Sequence, residues 1–386
     1  MCIVLARKYR PKNLSEIVGQ PVVVRILENA IRMNRIPHVF LLSGPMGVGK
    51  TSTARVIAKS LNCEKGPTVH PCETCKSCKE INEGKSVDVI EIDGASNRKV
   101  EEARKIIESM KYPPLFSPYK IYIVDEVHML TLEAFNALLK TIEEPPQYVK
   151  FIFATTNMQK IPPTVLSRCM TLDFKKIPEP VIKNHILKIC EKEGITIQEE
   201  AAMLISSLCE GSLRNAEMLL DRTISYCEGN ISLKDVENSL YVLKEEDVQA
   251  FLDATINGNI EEVERWLEKI ETNSVDIFYF FNMLLRRIEI YIKEKTYPVE
   301  QMIGVMDVFY KAFMDMRNGI EGEVVLRTAA YKACAVKNLV KIEDFLEETK
   351  TKSEKIERKG MQSKMESFPV VNYILEEFNG KIVGRL

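Results

Sequence analysis

At 386 residues the chain is too long for one ordinary hydrophobic core, so two or three domains are expected. Hydrophobic residues make up 45% and charged residues 28%, the balance of an ordinary globular protein. The formal net charge of −2 excludes a global positive field, so a nucleic-acid partner would have to be met by local basic patches.

The chain opens MCIVLARKYRPK, a few apolar residues followed by a basic cluster. It lacks the apolar stretch of ~7–15 residues and the small-residue cleavage site of a signal peptide. No segment approaches the ~20 uninterrupted apolar residues of a membrane span. A cytoplasmic location with no membrane partner is therefore expected. Ten cysteines in that reducing compartment argue against a disulfide framework.

Up to about residue 175, strand-like and helix-like segments alternate. Val39 to Leu42 is a short apolar run entering a glycine-rich turn, and Thr51 to Leu61 reads as a helix. Asp88 to Ile92 reads as a strand, Val100 to Met110 as an amphipathic helix, and Ile121 to Val124 as a β-branched strand ending in acids. Leu132 to Ile142 is helical, Pro145 and Pro146 stop it, and Val149 to Ala154 is again a strand. Such continuous apolar runs suit strands covered on both faces, which predicts a parallel α/β sheet. After about Asp173 the strand signal ends. Val181 to Glu193, Glu199 to Leu208 and Leu213 to Tyr226 have helical spacing, punctuated by Gly194 and Gly211. From Lys244 to about Glu347 the pattern stays helical, for example in Ile260 to Ile270 and Ile277 to Lys293. Thr349 to Ser367 is dense in Lys, Glu and Ser and reads as a linker or exposed helix.

Gly44, Pro45, Met46, Gly47, Val48, Gly49, Lys50 and Thr51 spell G-x-x-x-x-G-K-[ST] between a predicted strand and a predicted helix. The glycines let backbone N–H groups curl around a β-phosphate, and the helix N-terminus adds its dipole. Lys50 would reach the β and γ oxygens and the Thr51 hydroxyl would ligate Mg²⁺. In IYIVDEVH, Ile121 to His128, a strand delivers Asp125 and Glu126 at its C-terminal end, the edge where open α/β sheets bind ligands. Asp125 would hold Mg²⁺ and Glu126 would polarise the attacking water; alone, paired acids after a strand are often a solvated turn.

Cys63-x8-Cys72-x2-Cys75-x2-Cys78 supplies four thiols, two of whose gaps have the spacing of zinc knuckles. Four thiolates suit a closed tetrahedral structural Zn²⁺. Iron–sulfur ligation, disulfides and unliganded thiols are the alternatives.

LARKYRP from Leu5, VGQ from Val18, the phosphate loop, the cysteines, EIDGAS from Glu91 and VDEVHML from Val124 occur in order. NALLKTIEEPP from Asn136, ATTN from Ala154, LSRC from Leu166 and EGSLRNA from Glu210 complete the series. Over about residues 1–240 this series resembles AAA+ ATPases, and specifically the gamma/tau clamp-loader family of bacterial DNA polymerase III. The resemblance implies an α/β P-loop (AAA+) domain over 1–175, with a parallel sheet and a zinc module inserted at about 62–80. An all-α three-helix lid over 176–242 and a helical collar for oligomerisation over 243–347 would follow. A charged linker and short C-terminal segment would occupy 348–386. It also favours zinc for the cysteines.

By the same resemblance Thr156 matches sensor 1, and Arg168 the arginine finger that enters a neighbouring subunit's ATP site. Arg214 matches sensor 2, and Val18 and Gly19 a segment against the adenine, with Arg10 close to it. Implied ligands are ATP, Mg²⁺ and Zn²⁺. Implied partners are the other clamp-loader subunits in a hetero-pentamer, the sliding clamp and primer–template DNA, at replication forks on the nucleoid. Family members often carry further C-terminal domains that hold the polymerase core and replicative helicase. Ile374 to Leu386 resembles their extreme C-terminal end, as if the middle had been shortened. Asn97, Arg98 and Lys99, followed by Arg104 and Lys105, match helix starts that track the DNA backbone. The alternative is a solvated face balanced by Glu101, Glu102 and Glu108. VDEVH is also similar to helicases, so a branch-migration helicase or initiator stays open, though the cysteine insertion and SRC disfavour it. A non-hydrolysing scaffold subunit is disfavoured by intact Lys50, Thr51, Asp125 and Glu126.

Overall fold

The computed structural model describes residues 4–96, 100–227, 229–273 and 275–337. They fall into two compact units, the first ending at Leu240 and the second beginning at Tyr241.

The first unit is built on five parallel strands: β1 (Val39–Ser43), β2 (Val89–Asp93), β3 (Lys120–Asp125), β4 (Val149–Thr155) and β5 (Met170–Asp173). Their order in the sheet is β2-β3-β4-β1-β5. Side chains alternate across a strand, and in the central strands β1, β3 and β4 both sets are mostly apolar. Phe40, Leu42, Ile121, Ile123, Ile152 and Ala154 enter one core, with Leu27 and Ile31 of one helix and Ile57 and Leu61 of another. Val39, Leu41, Tyr122, Val124, Phe151 and Phe153 enter the opposite core, with Met110, Phe135, Leu138 and Val165. Each such buried side chain contributes about 1.5–3 kcal/mol, so a one-residue register slip would exchange the contents of both cores.

The helices of this part are α1 (Leu5–Lys8), which packs against a later helix, and α2 (Pro21–Arg32), α3 (Lys50–Asn62), α4 (Lys76–Glu83), α5 (Val100–Met110), α6 (Leu132–Glu143) and α7 (Pro163–Leu166). Asp88, expected to open a strand, is buried just before β2. Its carboxylate accepts from the backbone N–H groups of Leu115, Phe116 and Ser117 at 2.7, 2.8 and 2.9 Å.

Three expected helices then form as α8 (Glu179–Glu193), α9 (Glu199–Leu208) and α10 (Leu213–Tyr226), and a fourth, α11 (Leu233–Leu240), follows. A parallel pair, β6 (Thr196–Ile197) with β7 (Asn230–Ile231), ties them together. Two-residue strands carry no period a sequence reading could detect. Ser212 caps α10, its Oγ accepting from the Asn215 backbone N–H at 3.2 Å.

The second unit is helical: α12 (Glu245–Asn257), α13 (Ile260–Thr272), α14 (Ile277–Glu294), α15 (Val299–Arg317) and a last helix from 322 to 337. Phe251, Phe280, Phe281 and Phe309 centre its core, with Phe251 edge-on to Phe280 at 5.2 Å. The expected linker and C-terminal segment, 348–386, lie outside the described residues. Among those residues no helix is long and apolar enough to cross a membrane.

Candidate active site

Strand β1 delivers the chain into the glycine loop at the C-terminal edge of the sheet. Gly47 and Gly49 hold φ of 75° and 98°, a left-handed backbone that glycine adopts without strain. Lys50 opens α3 and is buried; its Nζ donates to the carbonyl oxygens of Gly44 at 2.8 Å and Pro45 at 2.7 Å. Burial pushes its ammonium pKa down, opposed by the Glu126 and Asp125 carboxylates. The lysine thus arches back over the loop onto its carbonyls. Thr51 Oγ1 donates to Asp125 Oδ2 at 2.6 Å, so the two expected Mg²⁺ ligands are in contact across α3 and β3.

Glu126 leaves β3 with φ of 45°, a left-handed conformation uncommon outside glycine. Its Oε2 accepts from the Thr156 backbone N–H at 3.2 Å and the Thr156 hydroxyl at 2.9 Å. This contact is possible because β3 and β4 are neighbours, with Val124 opposite Phe153.

A cavity of about 680 Å³ opens in front of these groups, within the size range of small-molecule sites. Met46, Gly47, Val48, Gly49, Lys50, Thr51, Asp125 and Glu126 form one end of its lining. Val18, Arg10 and Tyr9 line it elsewhere, and Arg214, His185 and Glu217 come from α8 and α10. The N-terminal segment is tied to those helices. The Leu5 N–H donates to Asp221 Oδ2 at 2.7 Å, the Tyr9 hydroxyl donates to Glu193, and Lys8 pairs with Glu193 at 2.7 Å. Burial, then the nearby charges of Arg55, Arg7 and Arg214, lower the Arg10 pKa; its charge faces the cavity among other cations. Gly44 and Pro45 are not part of the cavity lining and serve the site as carbonyl acceptors for Lys50. Gly19 also lies outside the lining; a Cβ there would strike Ile177, so its role is in shaping the chain.

The family model for the DNA polymerase III delta subunit matches residues 19–178. The model for the DNA polymerase III clamp loader subunit ATPase lid domain matches residues 181–229. DNA polymerase III subunit gamma of Buchnera aphidicola (subsp. Acyrthosiphon pisum) is 43% identical over 273 residues, 71% of this chain and 76% of that one. This chain belongs to the gamma/tau family of DNA polymerase III clamp-loader subunits. The tau subunit of Escherichia coli K12 is 44% identical over 260 residues, 67% of this chain and 40% of that one. The tau subunit of Bacillus subtilis 168 is 36% identical over 357 residues, 86% of this chain and 63% of that one. The chain therefore matches less than two thirds of the length of these tau relatives.

In this gamma/tau chain the cysteine module follows α3. The Sγ atoms of Cys63, Cys72, Cys75 and Cys78 lie within 4.8 Å of one another. A tetrahedron of Zn–S bonds of about 2.3 Å has edges near 3.8 Å, so the donor set is compatible with zinc. Backbone N–H groups of Cys75 and Thr74 help hold the Cys72 thiol down to about 6, while burial and neighbouring thiols push Cys78 up. Lys59, 1% exposed, braces the module to α3 through Glu73 at 2.7 Å.

Arg168 is not among the residues lining its own chain's cavity. It is exposed just beyond α7, donates to the Thr164 carbonyl at 2.6 Å and pairs with Glu143 at 2.7 Å. Asn97, Arg98 and Lys99 lie outside the described residues. Tyr9, His185 and Glu217 were not foreseen as cavity residues. Tyr9 sits inside the LARKYRP motif, which could have pointed to it; His185 and Glu217 carry no sequence signal, because only helix packing brings them to the wall.

Proposed function

We propose that this chain is an ATP-hydrolysing motor subunit of the clamp loader. MgATP would bind in the cavity between the glycine loop, the N-terminal segment and the α8–α11 helices. The observation that carries this reading is the convergence of Lys50, the Thr51–Asp125 pair, Glu126 and Arg214 on one cavity. Membership of the gamma/tau family supports it.

In this reading Lys50 leaves the loop carbonyls to hold β and γ oxygens, and Thr51 and Asp125 hold Mg²⁺, which offsets phosphate charge when bound. Glu126 orients the attacking water and accepts its proton. Thr156 acts as sensor 1, and Arg214, whose backbone N–H already donates to Gly47 O at 3.3 Å, reports γ-phosphate to the lid. Val18 lines the adenine end. Arg168, exposed and away from its own cavity, serves a neighbouring subunit in trans within a hetero-pentamer assembled through the second unit. ATP binding lets the assembly open the sliding clamp, and primer–template DNA, tracked in part by residues 97–99, triggers hydrolysis and release. Zinc at the four cysteines is structural.

Transfer of labelled clamp onto primed circular DNA by the reconstituted complex, followed by gel filtration, tests this function. ATP-dependent comigration of clamp and DNA is expected. Comigration equal with and without ATP would refute the motor reading.

A further inference from the structure

The helical wall of the nucleotide cavity carries a polar pair that phosphate chemistry does not explain. His185 on α8 and Glu217 on α10 both line the cavity, and their side chains are only 16% and 10% exposed. His185 Nε2 lies 3.0 Å from Glu217 Oε1; a carboxylate accepts, so the imidazole N–H donates. Among the described residues this is the one hydrogen bond of the Glu217 side chain, although a carboxylate offers about four lone-pair sites. Burying an acid so sparsely partnered is costly unless a ligand supplies further donors. Arg214, one turn earlier on α10, places this wall relative to the glycine loop. Its backbone N–H donates to Gly47 O at 3.3 Å, and its Cβ stands 3.3 Å from where a Cβ on Gly47 would be. Residues three apart on a helix hold their Cβ atoms about 5–6 Å apart, so Glu217 stands about that far along α10 from the loop contact.

We propose that Glu217, held by His185, reads the sugar of the bound nucleotide by accepting a hydrogen bond from its ribose 2′,3′-diol. This rests on the reading that ATP occupies this cavity with its phosphates on the glycine loop. The ionised phosphates carry acceptors only, and their charge repels a carboxylate. The donors of ATP and ADP are all on the nucleoside: the two ribose hydroxyls and the 6-amino group. An acid on this wall is therefore matched to the nucleoside half of the ligand. Of its groups the ribose comes first after the phosphates, and Glu217 lies one helical turn from the residue bonded to the loop. Carboxylates pair with ribose hydroxyls in dinucleotide-binding folds by the same chemistry. His185 is the positioning residue: its N–H fixes Oε1 against rotation about the last torsion of the acid, an otherwise broad two-fold well. The remaining lone pairs of the carboxylate then serve the sugar. A site that bonds a hydroxyl in this way discriminates against the analogue that lacks it.

The test is titration of the full chain with ADP, 2′-deoxy-ADP, 3′-deoxy-ADP and purine riboside diphosphate, which lacks the 6-amino group. Wild type is compared with Glu217→Leu, His185→Leu, the double variant and Lys50→Ala. Wild type is expected to bind ADP at least about tenfold more tightly than one or both deoxynucleotides, as for a hydrogen bond to a charged group. Glu217→Leu should bring that ratio to within about twofold while leaving the ratio of ADP to purine riboside diphosphate unchanged. His185→Leu should narrow the ribose ratio part of the way. The double variant replaces both polar partners by apolar side chains, is expected to behave as Glu217→Leu, and decides the matter if a single variant does not fold. A pair that only fastens α8 to α10 would instead weaken ADP and deoxy-ADP equally when removed. That result, a smaller ribose preference in wild type, a wild-type ratio in either folded single variant, or a change that follows the 6-amino group would overturn the proposal. Lys50→Ala reads the nucleotide site separately: ADP binding indifferent to Lys50 removes the ATP reading, whereas Lys50-dependent binding beside an unaltered ratio in Glu217→Leu removes only this role.

Discussion

Ser212 stands directly over Gly47. A Cβ built on Gly47 would overlap Ser212 Oγ and lie 3.1 Å from Ser212 Cβ and 3.3 Å from Arg214 Cβ. The residue that caps α10 thus rests on the glycine loop, to which the Arg214 backbone N–H also donates, at Gly47 O, at 3.3 Å.

Gly47→Ala therefore combines a left-handed φ of 75° with a clash against the Ser212 side chain, whose Oγ caps α10. We expect stability to fall by about 1–3 kcal/mol and ADP affinity to fall at least about tenfold, read by thermal unfolding and nucleotide titration. A Kd within twofold of wild type would show that the loop and lid are not coupled through this contact.

Protein purified without chelators should carry close to one equivalent of zinc. Cys75→Ser should lose the metal and cost more than about 2 kcal/mol of stability, since one thiolate of the set becomes a poor ligand beside the buried Lys59–Glu73 brace. Elemental analysis finding no zinc would remove the structural-metal assignment.

The centre of the sheet was legible because β1, β3 and β4 are buried on both faces and so read as continuous apolar runs, and they follow the expected segments closely. Lys50, Thr51, Asp125 and Glu126 were expected together from residue type and spacing, and the fold brings the four to one cavity. Arg168 and Thr156 were named through resemblance alone. The hydrogen bonds of Thr156 to Glu126 and of Thr155 to His128 were hidden, since they depend on β3 and β4 lying side by side, a pairing between segments some thirty residues apart. Glu193 and Asp221, which hold the N-terminal segment, were hidden for the same reason: surface acids on helices look alike until the fold gives them partners.

Arg168→Ala should bind nucleotide almost normally, because Lys50, Thr51 and Asp125 are untouched, yet its complex should hydrolyse ATP at least about a hundredfold more slowly. Mixed with Lys50→Ala protein it should recover part of the DNA-stimulated turnover, since some interfaces then pair an intact loop with an intact arginine. No recovery in mixtures shown by sizing to co-assemble would place Arg168 outside the reaction.

The most direct test of the account is steady-state ATP hydrolysis by the reconstituted complex, with clamp and primed DNA, carrying either wild-type chain or Lys50→Ala. Removing the buried ammonium that caps the Gly44 and Pro45 carbonyls takes away the cis cation for the β and γ oxygens. The account predicts DNA-stimulated turnover in the wild type and a loss of at least about a hundredfold in Lys50→Ala with an unchanged circular dichroism spectrum. Turnover within threefold of wild type in a folded Lys50→Ala complex would contradict it.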